Sequence, residues 1–266
     1  MPLAVCATPI GNLDDVTLRV LAELREADVV LAEDTRHTRG LLERHGIEAR
    51  LLSYHEHNEA SRIAELLPRL AAGERIALVS DAGMPAISDP GARLVRAALD
   101  AGLPLTVLPG PSAVETALVA SGLAAGAYVF VGFLPRKAGE LAALWRELDG
   151  WPGPAVAFES PKRIGASLRS LAEAGAEREV AVCRELTKRF EEVVRGTAGE
   201  LAARFAEPPK GELTLVVAPL PAVADGGPAR AAVTELVAAG TPRRVAADVV
   251  ARLTGLARNE LYRDTL

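Results

Sequence analysis

The sequence predicts an α/β protein with two sheet-containing domains, the first built on a parallel sheet and the second on a mixed sheet. Two observations support this prediction. Short apolar runs alternate with helix-period segments in the first part of the chain, whereas several later runs are joined by connections too short for a helix. The 266 residues, with 49% hydrophobic and 24% charged side chains, are enough for two such domains.

Five apolar runs rich in β-branched residues predict the strands of the first domain. These runs are Leu3–Ala7, Val29–Ala32, Leu51–Tyr54, Ile76–Val79 and Leu105–Leu108. The helix-period segments between them are Thr17–Glu26, Thr35–His45, Ser61–Ala72 and Ala92–Ala101. Such alternation is typical of βαβ units, so we expect a parallel sheet. The domain is predicted to span residues 1–114, ending after the corner at Pro109–Pro111 and the helix-capping Ser112.

Strand-like runs return in a second domain, which is predicted to span residues 115–218. These runs are Tyr128–Phe133, Ala155–Phe158, Val180–Cys183, Glu192–Arg195 and Leu213–Ala218. The short turn between the third and fourth runs favours antiparallel pairing and therefore a mixed sheet. Proline and glycine at 219–228 predict a linker, and the pattern at 229–266 predicts a small C-terminal helical region.

Charge and cysteine content restrict the class of protein. A net charge of −5 argues against a surface coated with basic residues but is compatible with a local basic groove. Cys6 and Cys183 each lie in an apolar run, which favours core thiols over a disulfide. The sequence shows neither the basic, apolar start of a secretory signal nor an apolar stretch of about 20 residues that could span a bilayer. We therefore expect a cytoplasmic location and no membrane partner.

Two common phosphate-binding patterns are absent from the sequence. The first strand leads into TPIGNL, which contains a single glycine, Gly11, and neither G-x-G-x-x-G nor G-x-x-x-x-G-K-[ST] occurs. A nicotinamide enzyme and a P-loop NTPase are therefore disfavoured. From these residues alone, TPIGNL is equally compatible with a binding loop and with a plain strand-to-helix turn.

Charged residues follow the second strand in the segment EDTRHTRG. Glu33 and Asp34 stand at the carboxyl end of the strand, where ligands gather in open α/β sheets. Arg36 and Arg39 are three residues apart on the next predicted helix. One interpretation is a carboxylate–guanidinium cluster at the mouth of a cleft. The other is an ordinary helix N-terminus with favourable acids and solvated arginines.

Two histidines, His55 and His57, occur in SYHEHNE after the third strand. On an extended segment both imidazoles share one face, which is one way to begin the metal site of a hydrolase. Such a site needs further ligands from elsewhere in the chain, for which the candidates are Asp34, Asp81 and Asp89. The alternative interpretation is a polar loop that caps the helix from Asn58.

The segment SDAGMPAISDPG, residues 80–91, follows the fourth strand and contains two Asp, two Gly and two Pro. Asp81 can accept hydrogen bonds from ribose hydroxyls or an amine. Gly83 permits close approach of the backbone, whose free N–H groups can hold a carboxylate. Ribose, amine and carboxylate occur together in S-adenosylmethionine, so the segment points to that cofactor.

Eight motifs occur in one order: TPIGNL, EDTR, SYHEHNE, VSDAGMPAISDPG, PGPSA, GFLPRK, FESPKR and RELTKRFEE. Together they closely resemble the ribosomal RNA small-subunit methyltransferase I family, within the tetrapyrrole (cobalamin/porphyrin) methylase superfamily. The resemblance covers nearly the whole chain, although Met84 stands where Thr is more usual. It implies a two-domain tetrapyrrole-methylase-like fold with S-adenosylmethionine between the domains. It also implies 2′-O-methylation of a cytidine in the 16S RNA of the small ribosomal subunit.

The resemblance also implies which residues bind S-adenosylmethionine. These are Pro9, Ile10, Gly11, Asn12, Leu13, Asp81, Ala82, Gly83, Met84, Pro85, Ser88, Ser112, Ala113, Phe133 and Leu134, the last two closing over the adenine. Contacts to RNA phosphates are expected from basic residues of the same motifs. The candidates are Arg36, Arg39, Arg136, Lys137, Lys162, Arg163, Lys188 and Arg189.

The ribose hydroxyl must lose a proton during methyl transfer, and two glutamates are candidates for this step. Glu159 and Glu185 each end a strand beside basic residues, so we hypothesise that one is the general base or its orienting partner. A structural ion pair is the alternative for both. No metal is required, because the sulfonium donor carries its own leaving group.

Other interpretations remain open at this point. A tetrapyrrole or protein side chain could be the acceptor within the same superfamily, and a metal-dependent hydrolase that uses His55, His57 and acidic residues is the alternative from another class. The basic motifs and the helical tail suit a polyanion better than a single macrocycle. The resemblance further implies a homodimer, and the C-terminal helices either grip RNA or pack on the body.

Overall fold

The computed structural model describes residues 2–220, 226–254 and 256–263. The chain divides into two compact units, one that ends at Ala218 and one that begins at Pro219. Both predicted sheets lie within the first unit, and the C-terminal helices form the second. Among the described residues, no helix is long and apolar enough to cross a membrane.

The first sheet is parallel throughout, as the alternating pattern predicts. Its strands are β1 (Leu3–Cys6), β2 (Val29–Ala32), β3 (Leu51–Ser53), β4 (Ile76–Leu78) and β5 (Leu105–Leu108), in the order β3-β2-β4-β1-β5. The crossover helices are α1 (Leu18–Glu26), α2 (Thr35–Arg44), α3 (Glu59–Ala71) and α4 (Ala92–Asp100). All side chains of β1, β2 and β4 are buried because helices cover both faces of the sheet.

The second sheet is mixed. Its strands are β6 (Val129–Phe133), β7 (Ala155–Glu159), β8 (Glu179–Arg184), β9 (Glu192–Thr197) and β10 (Leu213–Val217), in the order β6-β7-β10-β8-β9. Only β6 and β7 pair in parallel, and the remaining pairs are antiparallel. The helices of this region are α5 (Ala113–Ser121), α6 (Ala138–Leu148), α7 (Ile164–Gly175) and α8 (Ala198–Arg204).

Two apolar layers cover the second sheet. Trp145 of α6, Leu168 of α7 and Leu201 of α8 pack on one face. The other face is covered by α5 together with Ile10, which comes from the segment after β1. Residues from the first half of the chain therefore complete the core of the second sheet.

Strand direction brings three basic motifs to one edge of the second sheet. Since β7 and β8 both run antiparallel to the β10 strand between them, they run parallel to each other, and β6 runs parallel to β7. The carboxyl ends of β6, β7 and β8 therefore share an edge. The motifs GFLPRK, FESPKR and RELTKR all begin at or near these ends, and we call this edge the basic edge.

The C-terminal unit contains α9 (Gly226–Ala238), α10 (Arg243–Thr254) and α11 (Arg258–Arg263). A small apolar core that includes Val233, Ala247 and Leu261 holds the three helices together. Helix α9 begins inside the predicted linker 219–228, because proline is compatible with the first turn of a helix. Residues 221–225 of that linker lie outside the described residues.

Candidate active site

The loops after β1 and β4 are joined by a pair of backbone hydrogen bonds. Thr8 N donates to Gly83 O at 2.8 Å, and Gly83 N donates to Thr8 O at 3.1 Å. Gly83 has a φ of +77°, which glycine adopts without steric cost. A Cβ at Gly83 would lie 3.7 Å from Ile10 Cγ2 and 3.8 Å from Pro111 O. The motifs TPIGNL, SDAGMP and PGPSA are therefore brought together at one edge of the first sheet.

The loop after β2 joins the same group through Asp81. Asp81 Oδ1 accepts a hydrogen bond from Asp34 N at 3.0 Å. Asp34 is the N-cap of α2, accepting from Arg36 N, and it also forms a two-point ion pair with the Arg36 guanidinium. These bonds hold the pKa of the Asp34 carboxyl well below its usual range. The EDTRHTRG segment allows two interpretations, a charged cluster at a cleft and an ordinary helix N-terminus. The contacts of Asp34 and Arg36 fit the ordinary helix N-terminus.

Three carboxylates, Glu33, Asp81 and Asp89, interact electrostatically beside these loops. Burial raises the pKa of Glu33, and the charge of Asp81 adds to the shift. Burial also raises the pKa of Asp89 to about 6; the charges of Glu33 and Asp81 add to this shift, while a hydrogen bond with Ser80 opposes it. The charge interactions among Glu33, Asp81 and Asp89 show that the three carboxylates lie near one another. The site therefore favours a positively charged ligand.

Hydrogen bonds of the Asn58 side chain hold the SYHEHNE segment together. Asn58 Oδ1 accepts from His55 N at 2.9 Å, and its Nδ2 donates to Ser53 O at 3.2 Å. The Asn58 side chain therefore makes no cap bond to α3, because it is already used within the loop. In the part of the chain that the structure describes, no group of three or more His, Cys, Asp or Glu side chains could hold a metal ion.

The segment between Pro85 and Gly91 is bent by unusual backbone angles. Ala86 and Ser88 have φ values of +70° and +63°, a region that costs energy for residues other than glycine. A Cβ at Gly132 of GFLPRK would lie 3.8 Å from Ser88 Oγ. The loop between Pro85 and Gly91 thus approaches the basic edge at Gly132.

A second contact joins RELTKR to TPIGNL. Asn12 N donates to Thr187 Oγ1 at 3.0 Å, and a Cβ at Gly11 would lie 2.5 Å from Lys188 Cγ. Lys188 Nζ pairs with Glu185 Oε1 at 2.9 Å and with Glu212 Oε2 at 2.6 Å. The hydrogen bonds from Glu212 N and from Lys188 lower the pKa of Glu185.

Glu159 and Arg163 tie together the β6 and β7 ends of the basic edge. The Glu159 side chain is 0% exposed and pairs with Arg163 at 2.5 Å. Its carboxylate also accepts from Ser160 N at 2.6 Å and from Ser167 Oγ. Arg163 in turn donates to Leu134 O at 3.0 Å and to Pro135 O. Glu159 is the last residue of β7 and Arg163 is the N-cap residue of α7, so the pair joins a strand to the helix that follows it.

The profile of the family Tetrapyrrole (Corrin/Porphyrin) Methylases matches residues 2–202. The chain belongs to this family. The methylase is 45% identical to "Ribosomal RNA small subunit methyltransferase I" of Mesorhizobium japonicum, over 99% of this chain and 91% of that protein. It is 43% identical to the protein of the same name from Streptococcus pyogenes serotype M1, over 98% of this chain and 93% of the relative.

Solved structures share the methylase fold at lower identity. Diphthine synthase matches with a TM-score of 0.65 and 17% identity, over 82% of this chain and 89% of that one. The uroporphyrin-III C-methyltransferase of Thermus thermophilus, in complex with S-adenosylhomocysteine, matches with a TM-score of 0.56 and 20% identity, over 80% and 96% of the two chains. These matches confirm the predicted fold class.

Two residues predicted to bind the cofactor of this methylase, Leu134 and Ser112, have side chains that make contacts within the protein. Leu134 is 2% exposed within the core of the second sheet, because side chains alternate across the chain, whereas its neighbour Phe133 is 63% exposed. Leu134 therefore cannot close over an adenine. Ser112 is the N-cap residue of α5 but makes no side-chain cap bond, because its hydroxyl donates to Glu115 instead.

The predicted RNA-binding residues of the methylase fall into three groups. Arg163 pairs with the buried Glu159, and Lys188 pairs with two glutamates. Both cations therefore have structural roles. Arg36 and Lys137 are exposed but paired with acidic neighbours on their own segments. The remaining four candidates, Arg39, Arg136, Lys162 and Arg189, are exposed and form no ion pair with a described residue.

Proposed function

We propose that the protein transfers a methyl group from S-adenosylmethionine to the 2′-hydroxyl of a cytidine in the 16S RNA of the small ribosomal subunit. The observation that carries this proposal is the contact between two sheet edges. The loops of the first sheet carry the acidic residues and the glycines, and the basic edge of the second sheet meets them where Asn12 N donates to Thr187 Oγ1. A cationic donor and a polyanionic acceptor would thus lie side by side.

The donor side of the proposal rests on the loops after β1, β4 and β5. When bound, S-adenosylmethionine supplies a methyl group on a positively charged sulfur that leaves as a neutral thioether. The carboxylates of Glu33, Asp81 and Asp89 complement positive charge, and the raised pKa of Asp89 reflects its burial and then the charges of the other two. Gly83 lets the backbone approach a ligand closely, whereas Gly11 makes room for the RELTKR loop. The other predicted cofactor residues around these loops stay part of the proposal, Leu134 excepted.

The acceptor side rests on the basic edge. Arg136, Lys162 and Arg189 come from three different motifs and are exposed along it. Cations of this kind position an RNA backbone without reading its sequence. Phe190 is 65% exposed beside Arg189, whose guanidinium lies 5.5 Å from the ring centre, so an aromatic face is also present. Exposed cations next to an aromatic ring suit single-stranded RNA.

We propose that Glu159 and Glu185 orient cations rather than carry the proton themselves. Glu159 is enclosed by Arg163, Ser160 and Ser167. Glu185 accepts bonds from Glu212 N and Lys188, which lower its pKa and weaken it as a base. Alignment of the ribose oxygen with the methyl carbon and exclusion of water then make the main contributions to rate.

The relatives named for ribosomal RNA also support a cytoplasmic protein, and the superfamily resemblance supports a homodimer. Cys6 and Cys183 are free and buried, as expected in a reducing compartment. β5 is an edge strand, and Val107 on it and Leu99 on α4 expose apolar side chains. Light scattering on the purified protein should give twice the 27.9 kDa chain mass; a single chain mass would contradict the dimer.

The function is tested by incubating the protein with small ribosomal subunits and S-adenosylmethionine, then mapping 2′-O-methyl ribose by reverse transcription. We expect one methylated cytidine. The double variant Lys162→Ala/Arg189→Ala should lower kcat/KM about tenfold and reduce the salt dependence of RNA binding. The matched control is Arg96→Ala, which removes an exposed arginine on α4 that pairs with Asp100. Methylation of a tetrapyrrole but not of RNA would contradict the proposal.

Donor binding should weaken as the pH falls through about 6. Because the pKa of Asp89 is raised to about 6, this carboxylate is charged above that pH and neutral below it. Fewer negative charges beside Glu33 and Asp81 then face the cationic donor. Calorimetry from pH 5 to 7.5 should show a several-fold loss of affinity at the acid end. The loss should be smaller for S-adenosylhomocysteine, which lacks the sulfonium charge, and for Asp89→Asn; equal pH profiles for wild type and variant would contradict this.

A further inference from the structure

Thr187 has a backbone conformation that its side chain disfavours. Its φ is +64°, and Glu185 two residues before it has a φ of +51°. A β-branched residue in the left-handed region is an outlier, and glycine or asparagine would fit this backbone better. Such strain is maintained only where the surrounding structure enforces it, and it concentrates at functional sites. The hydroxyl of Thr187 is the feature that glycine could not supply.

This hydroxyl is the acceptor for Asn12 N at 3.0 Å. The contact crosses from the RELTKR loop to the TPIGNL loop, which are 175 residues apart in the chain. The backbone of Thr187 is also fixed, because its N donates to Glu191 Oε2 at 2.6 Å. Lys188 packs its Cγ over Gly11 and is fixed by Glu185 and Glu212. The RELTKR segment therefore contacts the TPIGNL loop, which we call the donor loop, at two adjacent residues, Thr187 and Lys188.

The same segment carries one of the exposed cations of the basic edge. Arg189 follows Lys188 directly and forms no ion pair with a described residue. An RNA phosphate bound by Arg189 would therefore also restrain the two preceding residues, Thr187 and Lys188. These two residues contact Asn12 and Gly11. Two ligands that favour the same arrangement of one element bind cooperatively, and the effect is reciprocal.

We propose that Thr187 is a positioning residue that couples the binding of RNA to the binding of the methyl donor. The inference rests on the proposed function and adds to it a thermodynamic link between the two substrates. In the free protein the Asn12–Thr187 bond holds the donor loop in its binding conformation. RNA on the basic edge immobilises RELTKR, and the donor loop is then fixed as well.

The test compares Thr187→Ala with Thr187→Ser, two variants that differ by one oxygen atom and that both remove the β-branch. The dissociation constant of S-adenosylhomocysteine is measured by calorimetry, with and without saturating small ribosomal subunits. In the wild type and in Thr187→Ser, we expect RNA to tighten binding about fivefold or more. In Thr187→Ala, binding without RNA should weaken about fivefold, as for one lost hydrogen bond, and the RNA effect should fall to within twofold of none.

A second pair of variants removes the donor of the same bond. The φ of Asn12 is −79°, which proline can adopt, so Asn12→Pro deletes the N–H while Asn12→Ala deletes only the side chain. We expect Asn12→Pro to lose the RNA effect and Asn12→Ala to keep it. This pair decides the matter if Thr187→Ala does not fold.

The inference is overturned if Thr187→Ala and Thr187→Ser show the same RNA effect, or if RNA leaves wild-type donor affinity unchanged. Both outcomes are possible while the wild type still methylates its cytidine. Failure of the coupling is therefore distinct from failure of the proposed function, which the mapping of 2′-O-methyl ribose reports.

Discussion

Gly11→Ala is expected to reduce RNA methylation at least tenfold and to lower the free energy of unfolding by about 1–3 kcal/mol. The added Cβ would lie 2.5 Å from Lys188 Cγ, 2.8 Å from Thr187 Oγ1 and 2.9 Å from Leu186 O. The Lys188 side chain could move aside. Leu186 O cannot move as easily, because it belongs to the backbone just after β8 of the second sheet. The donor loop itself must therefore shift, and the predicted cofactor-binding residues on it shift as well.

The matched control for this variant is Gly139→Ala. Gly139 lies in α6, and a Cβ there would meet no atom within 4 Å. Gly139 is the second residue of this helix, where alanine should stabilise the protein by at most about 0.5–1 kcal/mol. Urea unfolding and single-turnover methylation of small ribosomal subunits measure both variants. Full activity of Gly11→Ala would show that the RELTKR and TPIGNL loops do not pack as described.

Glu159→Gln should cost about 3 kcal/mol of stability, because it leaves Arg163 without its buried partner. The carboxylate is fully buried, while the arginine side chain is 29% exposed, which places the cost at the lower end for a broken buried pair. Loss of the pair also loosens the anchor that Arg163 provides for Leu134 O and Pro135 O. The GFLPRK loop should become more mobile as a result.

Activity measured under conditions where the variant is folded separates the two roles discussed for Glu159. An orienting role predicts a single-turnover rate within about tenfold of the wild type, whereas loss of a general base costs about 10²–10⁴-fold. Glu140→Gln serves as the control, since Glu140 forms an exposed pair with Lys137 and its loss should cost less than about 1 kcal/mol. A large rate loss in Glu159→Gln with little loss of stability would identify it as the base.

Much of the fold follows from local sequence patterns. Val29–Ala32 and Leu105–Leu108 are strands with the predicted bounds, because apolar β-branched runs between turn residues leave few other arrangements. The order of strands in the second sheet was not predictable, since it depends on long-range pairing of β10 between β7 and β8. The shared edge of the three basic motifs follows from that pairing and was therefore also beyond the sequence.

The candidate site was predictable in its motifs and less so in the roles of single residues. TPIGNL, SDAGMP and PGPSA meet because β1, β4 and β5 are neighbours in a parallel sheet, as the alternation implies. Residue chemistry alone could not distinguish Arg163, which is held by Glu159, from the exposed Lys162 beside it. Similarly, the use of the Ser112 hydroxyl by Glu115 depends on side-chain geometry that no motif encodes.

Ile10 belongs in sequence to the parallel half of the protein, yet it is buried against Val114, Ala181 and Leu186 beneath the mixed sheet. Cutting the chain between the two halves would expose this apolar seam on both fragments. Neither half is then a self-sufficient module that recombination could exchange freely. The two lobes therefore form one compact unit, which ends at Ala218.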